Sequence, residues 1–410
     1  MSTFLIGLEL EHWPLNPICD ALLEHQSQSL SGKMGQNQPI ELSEEEKKEL
    51  SIGLLRDWWV ASTQALVDTA SSEIALRFLE PHCMNAGKAS AYVFPSITGI
   101  IELREMKNAQ GNILAKMMDG VWGAGYVADD ESFIGELFDC ATEGSCKEAC
   151  EALCSIQNLH SVEEKDPSYT SILTRSLSRG DKSCQWLVSK KGKPPKVQPS
   201  KEFLPPHLMV KPESIPSEQA MNSLAHAYLG EFWVISTKAF VEQSGSEKAL
   251  DRLSFYMRHS GMSLGIRLAD HLNAHQRKMD SVVDLVALIQ VLHQRRCEVT
   301  RDKSSIECEI MECPFSSSPP EVCHQYQAFF NGICEAIDPS YEFIYDRMMT
   351  KGDKTCHWTI RKKGEVTKEK TKEERASDDP IRMLTSMYIK GEITEEEFRK
   401  KMAVLKEFKL

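Results

Sequence analysis

The sequence predicts an α+β protein built from two tandem copies of a helical layer plus an antiparallel sheet, followed by a short α-helical hairpin. Three observations predict it. The chain repeats itself, each copy changes from a helical to an alternating apolar period, and the last 32 residues carry their own helix start and stop signals.

The repeat is explicit. Leu55 to Gly87 aligns with Leu229 to Gly261 at a constant offset of 174, with 13 identities in 33 positions that include Trp59/Trp233, Ser62-Thr63/Ser236-Thr237 and Gly87/Gly261. Asp166 to Gly192 aligns with Asp338 to Gly364 at an offset of 172, with 14 identities in 27, including Asp-Pro-Ser-Tyr and Gly-Asp-Lys-x-Cys-x-Trp.

Residues 1–39 form an N-terminal extension whose Trp13, Leu15, Leu22 and Leu23 could dock on the first repeat. That repeat spans 40–192. Leu55, Trp59, Ser62 and Leu66 recur at helical spacing, as do Leu229, Trp233, Ser236 and Phe240 in the second repeat, 217–364. Ile306 to Cys313 largely alternates apolar and charged residues, while Cys184 to Val188 and Cys356 to Ile360 mix polar with aromatic and β-branched ones, so these read as half-buried strands. Gly180-Asp181 and Gly352-Asp353 stand just before the last strands, where a turn wants them.

Between the copies, residues 193–216 hold seven of the chain's 18 prolines and read as an extended linker. Residues 365–378 form a second, charged linker. In 379–410, Pro380 opens a helix, Gly391 stops it, and Thr394 with Glu397 makes a capping box for a second helix carrying Phe398, Met402 and Leu405.

Composition limits the function. With 41% hydrophobic and 26% charged residues the chain is ordinary globular material, not collagen, coiled coil or disorder. Its 48 basic against 60 acidic side chains give a net charge of −12, a poor match for phosphate backbones, so nucleic acid is not an expected partner. The most apolar later run, Ser281 to Leu292, is broken by Asp284 and Gln290 and is too short to span a bilayer. No signal-peptide pattern is read at Met1, and the expected compartment is the cytoplasm. No Gly-rich phosphate loop or GxSxG elbow is present.

The cysteines carry the chemistry the sequence advertises. Of 13, Cys140, Cys150, Cys154 and Cys184 fall at a strand end, a helix face and the final strand of copy one, with Cys146 extending the helix stripe. Copy two repeats three of them as Cys313, Cys323 and Cys356, with Gln327 four residues after Cys323. Four thiolates from three elements suit tetrahedral zinc or an iron–sulfur cluster, the second copy then keeping an open position or being completed by Cys308, His324 or Cys334. Duplicated core thiols explain the same pattern. Asp181 and Asp353 are candidate acids or bases, with turn capping as the alternative. His271 and His275, beside Asp270, are a weak metal pair. Trp186 and Trp358 are expected in the core.

In these residues the chain resembles the L-2-amino-thiazoline-4-carboxylic acid hydrolases. The resemblance rests on Cys140, Cys150, Cys154, Asp166-Pro167 and Gly180-Asp181-Lys-Ser-Cys184, repeated as Cys313-Pro314, Cys323, Asp338-Pro339 and Gly352-Asp353-Lys-Thr-Cys356. It implies a fold similar to 4-vinyl reductase-type domains and hydrolytic opening of a small cyclic amidine. Either a metal-bound hydroxide, with Asp353 or a histidine as proton donor, or a Cys356 thiolate would start that reaction. Residues 379–410 resemble the short C-terminal helical hairpin called SHOCT, which implies homo-oligomerisation. Three functions are therefore expected in competition: a hydrolase of a small-molecule substrate, a metal, cluster or small-ligand sensor without turnover, and a structural scaffold.

Overall fold

The computed structural model describes residues 44–126, 132–138, 140, 146–192, 216–269, 281–283, 286, 289, 296–301, 305–364 and 400. By backbone proximity the chain divides into Met1–Lys362 and Lys363–Leu410, and both repeats belong to the first unit. The expected extension at 1–39, most of the linker 193–216, His271, His275 and Asp270, the charged linker 365–378 and all of the hairpin 379–410 except Lys400 lie outside the described residues.

The first repeat runs α1 (Glu44–Ala70), α2 (Ser72–Thr98), α3 (Leu103–Met118), β1 (Val121–Tyr126), β2 (Ser132–Phe138), α4 (Lys147–Cys150), a π-helix (Glu151–Gln157), α5 (Asn158–Lys165), β3 (Tyr169–Arg175) and β4 (Cys184–Lys190). The second runs α6 (Glu218–Ser244), α7 (Ser246–Ala269), β5 (Arg296–Arg301), β6 (Ser305–Glu312), α8 (Pro320–Ile337), β7 (Tyr341–Arg347) and β8 (Cys356–Lys362). Each repeat has one four-stranded antiparallel sheet, ordered β1-β2-β4-β3 and β5-β6-β8-β7, so helical layer and sheet combine as α+β.

Sequence identity between the copies becomes identical local geometry. Short 3₁₀ turns at Leu177–Arg179 and Met349–Lys351 end on Gly180 and Gly352, at φ 87° and 94°, a region where a Cβ is penalised. Asp166 accepts from the Ser168 amide at 2.9 Å and its hydroxyl at 2.6 Å, and Asp338 does the same with Ser340 at 3.0 and 2.6 Å. Arg175 meets Glu136 at 3.8 Å, as Arg347 meets Glu309 at 3.0 Å, tying each edge strand across its sheet.

The copies differ where length differs. Sixteen positions separate Cys150 from Asp166 and fifteen separate Cys323 from Asp338, so the first copy holds one extra residue in this helix. It is absorbed as the π-helix Glu151–Gln157, whereas α8 is regular α-helix throughout.

The two helical layers share one core. Trp58 of α1 lies 5.0 Å from Trp233, 5.0 Å from Tyr326 and 4.8 Å from Phe329, all of the other copy. A buried polar knot crosses the same seam: Ser62 and Trp233 Nε1 donate to Gln325 Oε1 at 3.1 and 2.9 Å, and Gln325 Nε2 donates to Thr237 at 2.8 Å. The Ser-Thr pairs of the repeat are therefore interface residues, with Thr63 and Ser236 hydroxyls 2.8 Å apart. Among the described residues no helix is long and apolar enough to cross a membrane.

Candidate functional site

The structure places the predicted thiols close together in the first repeat. Cys140 follows β2, Cys150 ends α4, Cys154 sits in the π-helix and Cys184 opens β4. Burial, followed by the neighbouring Cys150, Cys184 and Cys140, holds the Cys154 thiol well above the ordinary cysteine range. Burial also raises Cys184, against the Leu177 amide that donates to its sulfur at 3.3 Å, and pushes Cys146 up to about 12. Groups held as thiols at neutral pH are poor nucleophiles. Among the described residues no three His, Cys, Asp or Glu side chains are grouped to hold a metal ion.

In the second repeat Cys313 follows β6, Cys323 accepts from the Thr350 hydroxyl at 3.2 Å, and Cys356 accepts from the Met349 amide at 3.1 Å. Gln327 Oε1 accepts from the Tyr345 amide at 3.2 Å and so pins β7 to α8. Cys308 and Cys334 are buried in the core, and burial holds the half-buried His324 below the usual histidine value. Asp353 Oδ2 accepts from the Met348 amide at 2.8 Å, as Asp181 Oδ2 does from Ser176 at 2.8 Å. These aspartates cap the turns before the last strands. Trp358 and Trp186 are buried, but Trp186 also lines a cavity.

That cavity, about 70 Å³, lies against the π-helix. Trp122 and Trp186 form one wall, Leu153, Cys154 and Gln157 of the π-helix another, and Tyr228 and Phe232 of α6 close it from the second repeat. Lys107 of α3 lines it and is 5% exposed. The ammonium donates to Gln110 Oε1 at 2.6 Å, Asn158 Oδ1 at 2.9 Å and Ser161 Oγ at 3.1 Å. All three partners are neutral, and burial lowers the Lys107 pKa to about 7, so amine and ammonium coexist at neutral pH.

Local sequence builds this site. Gly111 and Gly135 leave the space that the Trp122 indole occupies, since a Cβ on either would overlap the ring. Trp122 Nε1 donates to Asn108 Oδ1 at 3.1 Å, and its ring lies 5.7 Å from Trp186. Trp186 Nε1 donates to the Cys154 carbonyl at 2.6 Å. Ser90 donates to Ser161 at 3.1 Å and receives Gln157 Nε2 at 3.5 Å, extending a polar chain away from Lys107.

The second repeat sets bulky apolar side chains at the corresponding helix positions. Gly87 abuts the Gln157 carbonyl as Gly261 abuts that of Phe329, which sets Phe329 and Phe330 in the places of Gln157 and Asn158. Both phenyl rings are fully buried.

Sequence reasoning missed Lys107, Trp122 and the π-helix. The usable signal was Lys107 beside the apolar positions Met106, Ala109 and Ile113, together with the one-residue length difference after Cys150. No protein-family model, no curated protein and no solved structure matches this chain.

Proposed function

We propose that this chain is a small-molecule-binding module, with the ligand held in the first repeat and the second repeat serving as its packed structural partner. The observation that carries the reading is Lys107: a buried ammonium facing a cavity, with neutral acceptors only, is costly unless something it binds repays the cost. The two indoles offer an apolar wall and Lys107 offers a nucleophile in its amine form, or a donor once one of its three neighbours yields, so the ligand is compact and apolar with a single carbonyl or carboxyl group.

Size narrows it further. The cavity of about 70 Å³ is roughly half the 150 Å³ of an engineered cavity that admits benzene, so it takes a few heavy atoms or one end of a longer molecule. A thiol-rich chain of this kind belongs in a reducing compartment such as the cytoplasm.

The test is a titration of tryptophan fluorescence with short-chain aldehydes, ketones, carboxylates and amides. Saturable change that is lost in Lys107→Met and kept in Lys354→Met supports the reading. Absence of any saturable change across the panel overturns it.

Hydrolytic opening of a cyclic amidine is the second reading, favoured by the near-neutral Lys107, which suits proton transfer. It assigns the proton shuttle to Lys107, not to Asp353 or Cys356, and predicts turnover of 2-amino-thiazoline-4-carboxylate that Lys107→Met abolishes.

A further inference from the structure

We propose that Lys107 captures a small aldehyde or ketone as a reversible imine inside the first-repeat cavity. This rests on the ligand-site reading above and names the ligand class.

The geometry favours a carbonyl over an anion. An ammonium has three N–H donors, and Gln110, Asn158 and Ser161 already accept all three, so a carboxylate would have to displace one of them. A neutral amine needs only two acceptors. The third neighbour, Ser161, can then turn its hydroxyl toward the nitrogen lone pair, and when it turns away the lone pair is available to the cavity. The imine that forms is uncharged when unprotonated and sits against Trp122 and Trp186 without a buried ion to compensate. Since burial lowers its pKa to about 7, Lys107 presents roughly a thousandfold more free amine at neutral pH than a lysine at the usual value of about 10.4.

The step balances. The Nζ lone pair attacks the carbonyl carbon, forming the C–N bond while the C=O π electrons move to oxygen, and a proton passes from nitrogen to that oxygen to give a carbinolamine. A second proton leaves nitrogen as the C–O bond breaks, and the oxygen departs as water. One water is released and nothing is oxidised or reduced. Ser161, linked to Ser90 and Gln157, is the positioning residue for these transfers.

The experiment treats the full chain at neutral pH with propanal and cyanoborohydride, which reduces an imine to a stable secondary amine, followed by peptide mass mapping. Lys107 is expected to be alkylated at least about tenfold faster than the exposed Lys88 and Lys354, and Ser161→Ala is expected to slow only the Lys107 reaction. Lys107 reacting no faster than Lys88 and Lys354 overturns the proposal. If propanamide, which cannot form an imine, still gives saturable fluorescence change while Lys107 stays unlabelled, covalent capture fails and the receptor reading stands. If neither occurs, both fall.

Discussion

The indole Nε1 of Trp186 donates to the backbone carbonyl of Cys154 at 2.6 Å, and its counterpart Trp358 has a buried Nε1 with no hydrogen-bond partner among the described residues. Cys154 lies in the π-helix Glu151–Gln157, whereas α8 is regular α-helix throughout. Trp186→Phe is therefore expected to cost about 1–3 kcal/mol more than Trp358→Phe, because only the first removes a buried indole hydrogen bond. Urea unfolding of the two variants checks it, and equal losses would contradict it.

Lys107 makes stability depend on pH. Its folded pKa of about 7 lies below the unfolded value of about 10.4, so between these values the unfolded chain binds more protons and wild-type stability rises with pH. The cost is fully present below about pH 7, on the order of 5 kcal/mol, and fades as pH approaches the unfolded value. Lys107→Met should stabilise the protein, more at about pH 6 than at about pH 9. A gain that is flat with pH in denaturant titrations would show that Lys107 is charged at both.

Removing the extra residue should remove the site. Deleting Ser155 lets the π-helix relax to α, turning the residues before and after it by about 100° relative to one another. Helical content by far-ultraviolet circular dichroism should hold while saturable ligand-induced fluorescence change is lost. Retained binding would place the ligand elsewhere.

Gly111→Ala pushes a methyl into the Trp122 ring. Overpacking of this kind costs about 1–3 kcal/mol, and the near-ultraviolet dichroism of the tryptophans should change with it. An unchanged spectrum and midpoint would mean that the ring has room to move.

Gln325 serves three partners from both repeats. Gln325→Met keeps the volume but leaves Ser62, Trp233 and Thr237 without it, so a loss of at least about 2 kcal/mol is expected by urea unfolding. A loss confined to a few tenths would mean that these hydroxyls re-pair among themselves.

Architecture was legible because it rests on patterns that repeat. Trp59/Trp233 and the Gly-Asp turns recur in sequence, so the α+β copies and their last strands could be read from periodicity and turn chemistry. The Cys140, Cys150, Cys154 and Cys184 neighbourhood was readable for the same reason. Lys107 and Trp122 were not, since they lie where the copies share little identity, and a lysine in an amphipathic helix ordinarily faces water. What makes it buried is Asn158 and Ser161, some fifty residues on, brought over it by tertiary packing.

The seam around Trp58 also bears on how the protein is made. This indole is enclosed by Trp233, Tyr326 and Phe329, which leave the ribosome up to 271 residues later. At cellular synthesis speeds the nascent first half waits from roughly ten seconds to about a minute for its other half, with a large apolar face uncovered. During that interval it is a natural client for chaperones, and a translational pause in the second repeat would prolong the exposure.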